Sequence, residues 1–226
     1  EKKIGILTIA IFSGVVIFDF ANENRLSIEF YRNFVDGVAV PMIRFLDAET
    51  AHSLSLKAAS LGLGPKDHSV PSPILSTKLF GLNFDNCIGL AAGYDKNAEA
   101  IDGLFDMGFG FIEIGTVTPE PQSGNEKPRI FRLVEDKGII NRCGFNNHGT
   151  KEVVERLKKW SDDKKVNDNR LLGVNVGKNK WVSESDAADD YCKAIKALGP
   201  FGDYIVVNIS SPNTPGLRLL QKREAM

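Results

Sequence analysis

Asp203–Gly216 reads DYIVVNISSPNTPG. Tyr204–Ile209 is a short, almost wholly apolar run rich in β-branched residues, the pattern of a strand buried on both faces. The run breaks into Asn208, Ser210, Ser211, Asn213 and Thr214, with Pro212, Pro215 and Gly216 shaping a loop. An ordinary polar turn has the same composition. A buried strand that delivers amides and hydroxyls at its C-terminal end is also how α/β proteins build a site. The preceding sequence decides between the two readings.

Three earlier segments end in the same way. Cys87–Ala92, Phe111–Val117 and Leu171–Val176 read as strands. Helices alternate with them. Asn97–Met107 turns Ile101, Leu104 and Phe105 inward and stops at Gly108; Gly149–Trp160 carries Val153, Val154 and Leu157. A third helix, capped by Ser185 and closed by Gly199, aligns Ala187, Tyr191, Ala194, Ile195 and Leu198 on one stripe. Arg129–Val134 and Gly138–Asn141 form a hairpin about Glu135–Lys137. Parallel strands joined by helices imply a doubly wound sheet or part of a (β/α)8 TIM barrel. No GxGxxG follows the first strand, which disfavours a dinucleotide-binding sheet. The reading is therefore α/β, a (β/α)8 barrel of which this chain covers about the first half.

In a barrel the four strand ends open on one face. The first brings Ala91, Ala92 and Gly93, small enough for a flat group to approach the backbone, and Lys96 adds a cation. The second brings Gly115 and Thr116, the third Asn175, the fourth Asn208 and Ser211. Singly these are common turn residues. Together, amides, hydroxyls, one lysine and small residues suit an aromatic heterocycle rich in carbonyl and imide groups. After the hairpin, Asn141–Gly149 is dense in polar residues and glycine. It reads either as a wall over a ligand or as a surface loop.

Composition narrows the partners. With 226 residues and 42% hydrophobic content, the chain can form one core with an appendage. A formal net charge of −1 argues against nucleic acid. Cys87, Cys143 and Cys192 contain no CxxC and read as free thiols. His52, His68 and His148 form no HxxxH, so no metal site is expected.

Three parts are expected: residues 1–21 as a membrane anchor or targeting segment, 22–65 as an amphipathic helical pair, and 66–226 as the barrel half. Ile4–Phe18 is an apolar or small-residue run behind Lys2 and Lys3, shorter than the roughly 20 residues that span a bilayer. A cleaved signal peptide is the rival, although no small-x-small site follows. Leu26, Phe30, Phe34 and Val38 recur at helical spacing up to Pro41, and Asp47 caps a second helix with Ala51, Leu54, Ala58 and Leu61 on one face. The pair could lie on a lipid surface or pack as a plain helical hairpin. His52, on the second helix, reads alone as a packing or surface histidine. Lys66–Ser76 reads as a linker.

AAGYDKNAEA (Ala91–Ala100), the run from Gly108 to Arg129 with its core GFGFIEIGTVTPEPQ, INRCGFNNHG (Ile140–Gly149), GVNVGKNK (Gly173–Lys180) and VVNISSPNTPGLR (Val206–Arg218) closely resemble the membrane-bound, class 2 dihydroorotate dehydrogenases. The resemblance implies an FMN-holding barrel that oxidises dihydroorotate to orotate in pyrimidine synthesis and passes electrons to ubiquinone. It implies FMN contacts at Ala91, Ala92, Gly93, Lys96, Thr116, Asn175 and Asn208. It implies a substrate pocket of Lys96, Asn141, Arg142, Cys143, Gly144, Phe145, Asn208, Ser211 and Asn213. Ser211 matches the base that takes the C5 proton while the C6 hydride passes to the flavin. His52 and Arg132 match positions near a quinone tunnel between the N-terminal helices. Cys143 departs from the tyrosine that relatives often carry. The implied location is the mitochondrial inner membrane, with a single N-terminal anchor and the catalytic domain facing the intermembrane space. The family continues for four more strands, so the chain reads as truncated after the fourth. Two alternatives stay open: another FMN-barrel oxidoreductase acting on a related pyrimidine, or an inactive membrane-tethered fragment.

Overall fold

β-Branched residues dominate the apolar run near the N-terminus, and there they form strands. Ile9–Phe12 (β1) pairs antiparallel with Val15–Phe18 (β2), Ile9 opposite Phe18 and Phe12 opposite Val15. The computed structural model describes residues 9–12, 15–18, 33–67, 72–163, 169–214 and 217–221. Two strands thus lie within the stretch 1–21 expected as a membrane anchor or targeting segment. Val and Ile favour the extended chain. No helix among the described residues is long and apolar enough to cross a membrane.

The chain divides into two units, Glu1–Asp47 and Ala48–Met226. In the first, Leu26, Phe30 and Tyr31 of the expected amphipathic helix lie outside the described residues. Its later part is helical but does not stop at Pro41. A π-helical turn, Val35–Ala39, runs directly into a short α-helix, Val40–Ile43 (α1). A proline inside an α-helix clashes with the carbonyl four residues back. The wider turn just before Pro41, closed by the Val40 N–H on the Val35 carbonyl, is the local adjustment that lets the helix continue.

The second unit opens with Ala48–Ser60 (α2), which starts directly after Asp47. Thr77–Leu79 (β3) and Leu82–Phe84 (β4) form a small antiparallel pair. The main sheet follows. Gly89–Leu90 (β5) precedes Ile101–Asp106 (α3); Phe111–Val117 (β6) is followed by the hairpin of Ile130–Leu133 (β7) and Gly138–Asn141 (β8). Gly149–Asp163 (α4) leads to Leu171–Val176 (β9), and Ala187–Leu198 (α5) leads to Tyr204–Val207 (β10). The sheet order is β10–β9–β6–β5, every neighbouring pair parallel.

β6 and β9 have the expected bounds. The first strand is shorter than expected, and its helix starts four residues late. Ala98 sits at φ +59, outside the helical region, and the backbone N–H groups of Asn97, Glu99 and Ala100 go to the Asp95 carboxylate (2.8–3.3 Å) instead of to a helix. Ser185 does not cap α5. Asp186 holds the N-cap position, and its N–H donates to Ser183 Oγ (3.2 Å).

Alternation assigns the two faces of the sheet. Ile112 and Ile114 of β6 and Leu172, Val174 and Val176 of β9 are fully buried, packed in one core with Leu104, Val153, Leu157, Ala194 and Leu198 of the helices. The opposite face carries Glu113, Asn175 and Tyr204. Leu56 and Ala59 bring α2 into the same core. Gly103 permits that contact, since a Cβ there would overlap the Ala59 carbonyl.

Candidate functional site

The four parallel strands end on one edge, and there the polar side chains form a connected chain. Asn175 Nδ2 donates to Glu113 Oε1 (2.8 Å), and the Thr116 hydroxyl donates to Asn175 Oδ1 (2.6 Å). Asn208 Nδ2 donates to Thr116 Oγ1 (3.0 Å). Asn208 Oδ1 then accepts the Ser210 N–H (3.1 Å) and, more loosely, its hydroxyl (3.3 Å). Thr116 and Asn175 are buried, and Asn208 is half-buried. Behind them the Tyr191 hydroxyl donates to the Asn208 carbonyl (2.8 Å); burial pushes that phenol up to about 12.

The loop after β5 closes one side. The Gly93 N–H donates to the Gly115 carbonyl (2.8 Å), and Gly93 adopts φ +115 with no atom within 4 Å of where a Cβ would stand. Ala91 and Gly93 are exposed, and Ala92 is half-buried. Asp95 is fully buried. Burial raises its carboxyl, against three backbone N–H bonds that hold it down.

The Ser211 segment docks on the hairpin. Ser211 Oγ accepts the Asn213 N–H (3.2 Å), Asn213 Nδ2 donates to the Asn141 carbonyl (3.3 Å), and Asn125 Nδ2 donates to both the Arg142 carbonyl (2.8 Å) and the Asn213 carbonyl (3.3 Å). Arg142 is exposed, its guanidinium bonded to the Pro128 carbonyl and lying over the Phe131 ring at 5.6 Å. Gly144 is buried, and its carbonyl accepts from Gln122 Nε2 (3.1 Å). The Phe145 ring lies where it, with the Thr116 methyl, would meet a Cβ at Gly177. Pro215 and Gly216 of this segment lie outside the described residues.

A cavity of about 190 Å³ lies against the loop after β5 and a second loop, residues 142–148, after β8. Glu49, His52, Ser53 and Leu56 of α2, Tyr94, Lys96, Asn97 and Glu99 of the first loop, Ile130, and Cys143, Asn146 and His148 of the second line it. Burial pushes the Lys96 ammonium down. Burial, then the Lys96 charge, also lowers His52, whose ring meets Tyr94 edge-on at 5.0 Å. Asn146 Oδ1 is buried without a hydrogen-bond partner. Arg132 shares the half-buried face of β7 with Ile130. Arg129, itself buried, holds Glu49 bidentately (Nε–Oε2 3.0 Å, Nη2–Oε1 2.6 Å), with Lys127 at 3.2 Å. The bond to Arg129 holds the Glu49 carboxyl below its ordinary value.

The expected residues therefore gather in three neighbouring groups. Thr116, Asn175 and Asn208 are bonded together; Ser211, Asn213, Asn141 and Arg142 form the docked loop; His52, Lys96 and Cys143 line the cavity. Among the described residues no hydrogen bond joins Lys96 to Thr116, Asn175 or Ser211. Sequence reading passed over Glu113, Glu49 and Tyr94. A lone carboxylate inside the apolar run FIEIGTV is the signal that marks Glu113. Glu49 carried none, because its partner Arg129 lies 80 residues away.

A parallel sheet with helices on one face and polar side chains collected at its carboxyl ends defines an α/β protein of the TIM-barrel type. Residues 74–226 match the family described as dihydroorotate dehydrogenase, and the chain belongs to that family. It is 50% identical over 189 residues to the dihydroorotate dehydrogenase (quinone) of Rhodospirillum rubrum, covering 84% of this chain and 49% of that one. It is 50% identical over 180 residues to the mitochondrial dihydroorotate dehydrogenase (quinone) of Mus musculus, covering 79% and 45%. A crystal structure of DHODH from Eimeria tenella in complex with ferulenol superposes with a TM-score of 0.75 at 50% identity, covering 79% of this chain and 48% of that one. The chain spans about half the length of the relatives it matches.

FMN fits the residues present. Gly93 leaves open space beside Ala91 and Ala92, and Asn175 and Asn208 each keep one amide hydrogen outside the chain of bonds described above.

Proposed function

We propose that the whole protein oxidises dihydroorotate to orotate with FMN and passes the electrons to ubiquinone, as a step of pyrimidine synthesis. The observation that carries this reading is the bonded row Asn175–Thr116–Asn208 beside the open Gly93 loop, in a chain of this family. FMN would supply the two-electron acceptor, held by Ala91, Ala92, Gly93, Lys96, Thr116, Asn175 and Asn208. Lys96 offers positive charge where a bound ring gains electrons. Asn141, Asn208 and Asn213 present amide donors and acceptors to the carbonyl and N–H edge of the pyrimidine, with Arg142, Cys143, Gly144 and Phe145 completing the wall. Ser211 would take the C5 proton while its own hydroxyl proton passes on to water or a neighbouring group, so that the serine ends neutral; the N–H donated to its Oγ eases the alkoxide character met on the way.

Quinone belongs on the cavity side, near His52 and Arg132. Exposed Leu54, Leu61 and Leu63, in and after α2, offer apolar surface to lipid. A mitochondrial location agrees with the name of the mouse relative.

The test uses the full-length protein loaded with FMN. Dihydroorotate added without oxygen should bleach the flavin and yield orotate, and a short-chain ubiquinone should restore the colour. Absence of orotate would sink the reading, and oxidation of dihydrouracil in its place would move it to another pyrimidine.

A further inference from the structure

Glu113 sits among apolar residues of β6, on the face opposite the helices, and touches the site only through Asn175. A carboxylate offers acceptors alone. Asn175 must therefore turn Nδ2 toward it, which leaves Oδ1 for the Thr116 hydroxyl. That hydroxyl spends its single proton on Asn175, so Thr116 Oγ1 can only accept from Asn208 Nδ2. At the far end the Ser210 backbone N–H, a donor alone, fixes Asn208 Oδ1 in the same sense. The row is pinned at both ends by groups that cannot reverse their role.

We propose that Glu113 is a positioning residue that sets the direction of the Asn175–Thr116–Asn208 row, so that the amide hydrogens left over at Asn175 and Asn208 face the ligand as donors. The row then selects ligands with acceptor edges, the carbonyl oxygens of a flavin or pyrimidine ring. Without the carboxylate, the Ser210 end still holds Asn208, but the Thr116 hydroxyl can rotate to accept from both amides, so Asn175 is held less firmly and either edge can face the ligand. Glu113 itself touches no ligand. The inference rests on the flavin reading above.

The test measures FMN dissociation from the full-length protein by recovery of flavin fluorescence, with far-UV circular dichroism as the folding control. Glu113→Met, of similar length without an acceptor, should weaken FMN about tenfold, the size of one misdirected hydrogen bond. Glu113→Gln keeps an acceptor oxygen and should recover most of that loss. Thr116→Val interrupts the row but leaves Asn175 on Glu113, so combined with Glu113→Met it should cost more than the product of the two single changes, because Asn175 then has neither anchor. Effects that multiply, or an unchanged affinity in Glu113→Met, would overturn the inference while leaving the flavin reading standing. If Glu113→Met does not fold, Glu113→Ala, which also removes the acceptor, takes its place in the cycle, and independent effects there overturn the inference too. A wild-type full-length protein that takes up no FMN would overturn both.

Discussion

A serine hydroxyl is a weak base in neutral water, so Ser211 in the role proposed for it would have to pass its own proton on. Its Oγ accepts one backbone N–H, which leaves the hydroxyl proton free to point to another acceptor. Ser211→Ala in the full-length protein should slow flavin reduction by dihydroorotate by about two to four orders of magnitude, and should leave bound FMN unchanged. Anaerobic stopped-flow absorbance reads both; an unaltered reduction rate removes Ser211 as base. Its neighbours were visible in the sequence because Asn, Ser and Pro end an apolar run there. The wiring among them was not. Hydrogen bonds such as Thr116 to Asn175 or Asn208 to Thr116 span 59 and 92 residues, and no local pattern encodes such a partner.

Helix α2 is fastened to the hairpin by the Glu49–Arg129 pair. Both groups are largely withdrawn from water and bonded bidentately, so removing Arg129 leaves Glu49 with the exposed Lys127 as its remaining cation. Arg129→Ala should destabilise the fold by about 3 kcal/mol, measured by denaturant unfolding. The pair also gives a pH signature. Arg129 depresses the Glu49 carboxyl in the folded state, so the pair's contribution is present above the unfolded-state carboxylate pKa and is lost as pH falls through the lower folded value. Arg129→Ala should therefore flatten the acid limb of the stability curve, and a limb parallel to wild type would contradict this role. Elements with clean periodicity were read to the residue, as β6, β9 and β8 attest. Misreadings fell where side chains compete with the backbone. Asp95 delays α3, and Ser183 displaces Ser185 at the head of α5. The run near the N-terminus was judged by hydropathy, while its Val and Ile favoured strands.

For the whole molecule, the division of the chain falls between Asp47 and Ala48, whereas the linker at 66–76 was the boundary expected from composition. Composition marks flexible residues but not which helix contributes to a core, and Leu56 and Ala59 make α2 part of the second unit. In the full-length protein, deletion through residue 60 should lower the unfolding midpoint by about 10 °C more than deletion through residue 47, from the loss of that burial and of the Glu49 pair. Equal midpoints in calorimetry would place α2 outside the folding unit. The loops 91–97 and 142–148 turn Tyr94, Lys96, Cys143 and Asn146 to the cavity, while Gly93 and Phe145 meet the strand ends. On the function proposed above, these shared loops would stand as a party wall between the flavin side and the quinone side, so a residue exchanged within them should be felt in both half-reactions.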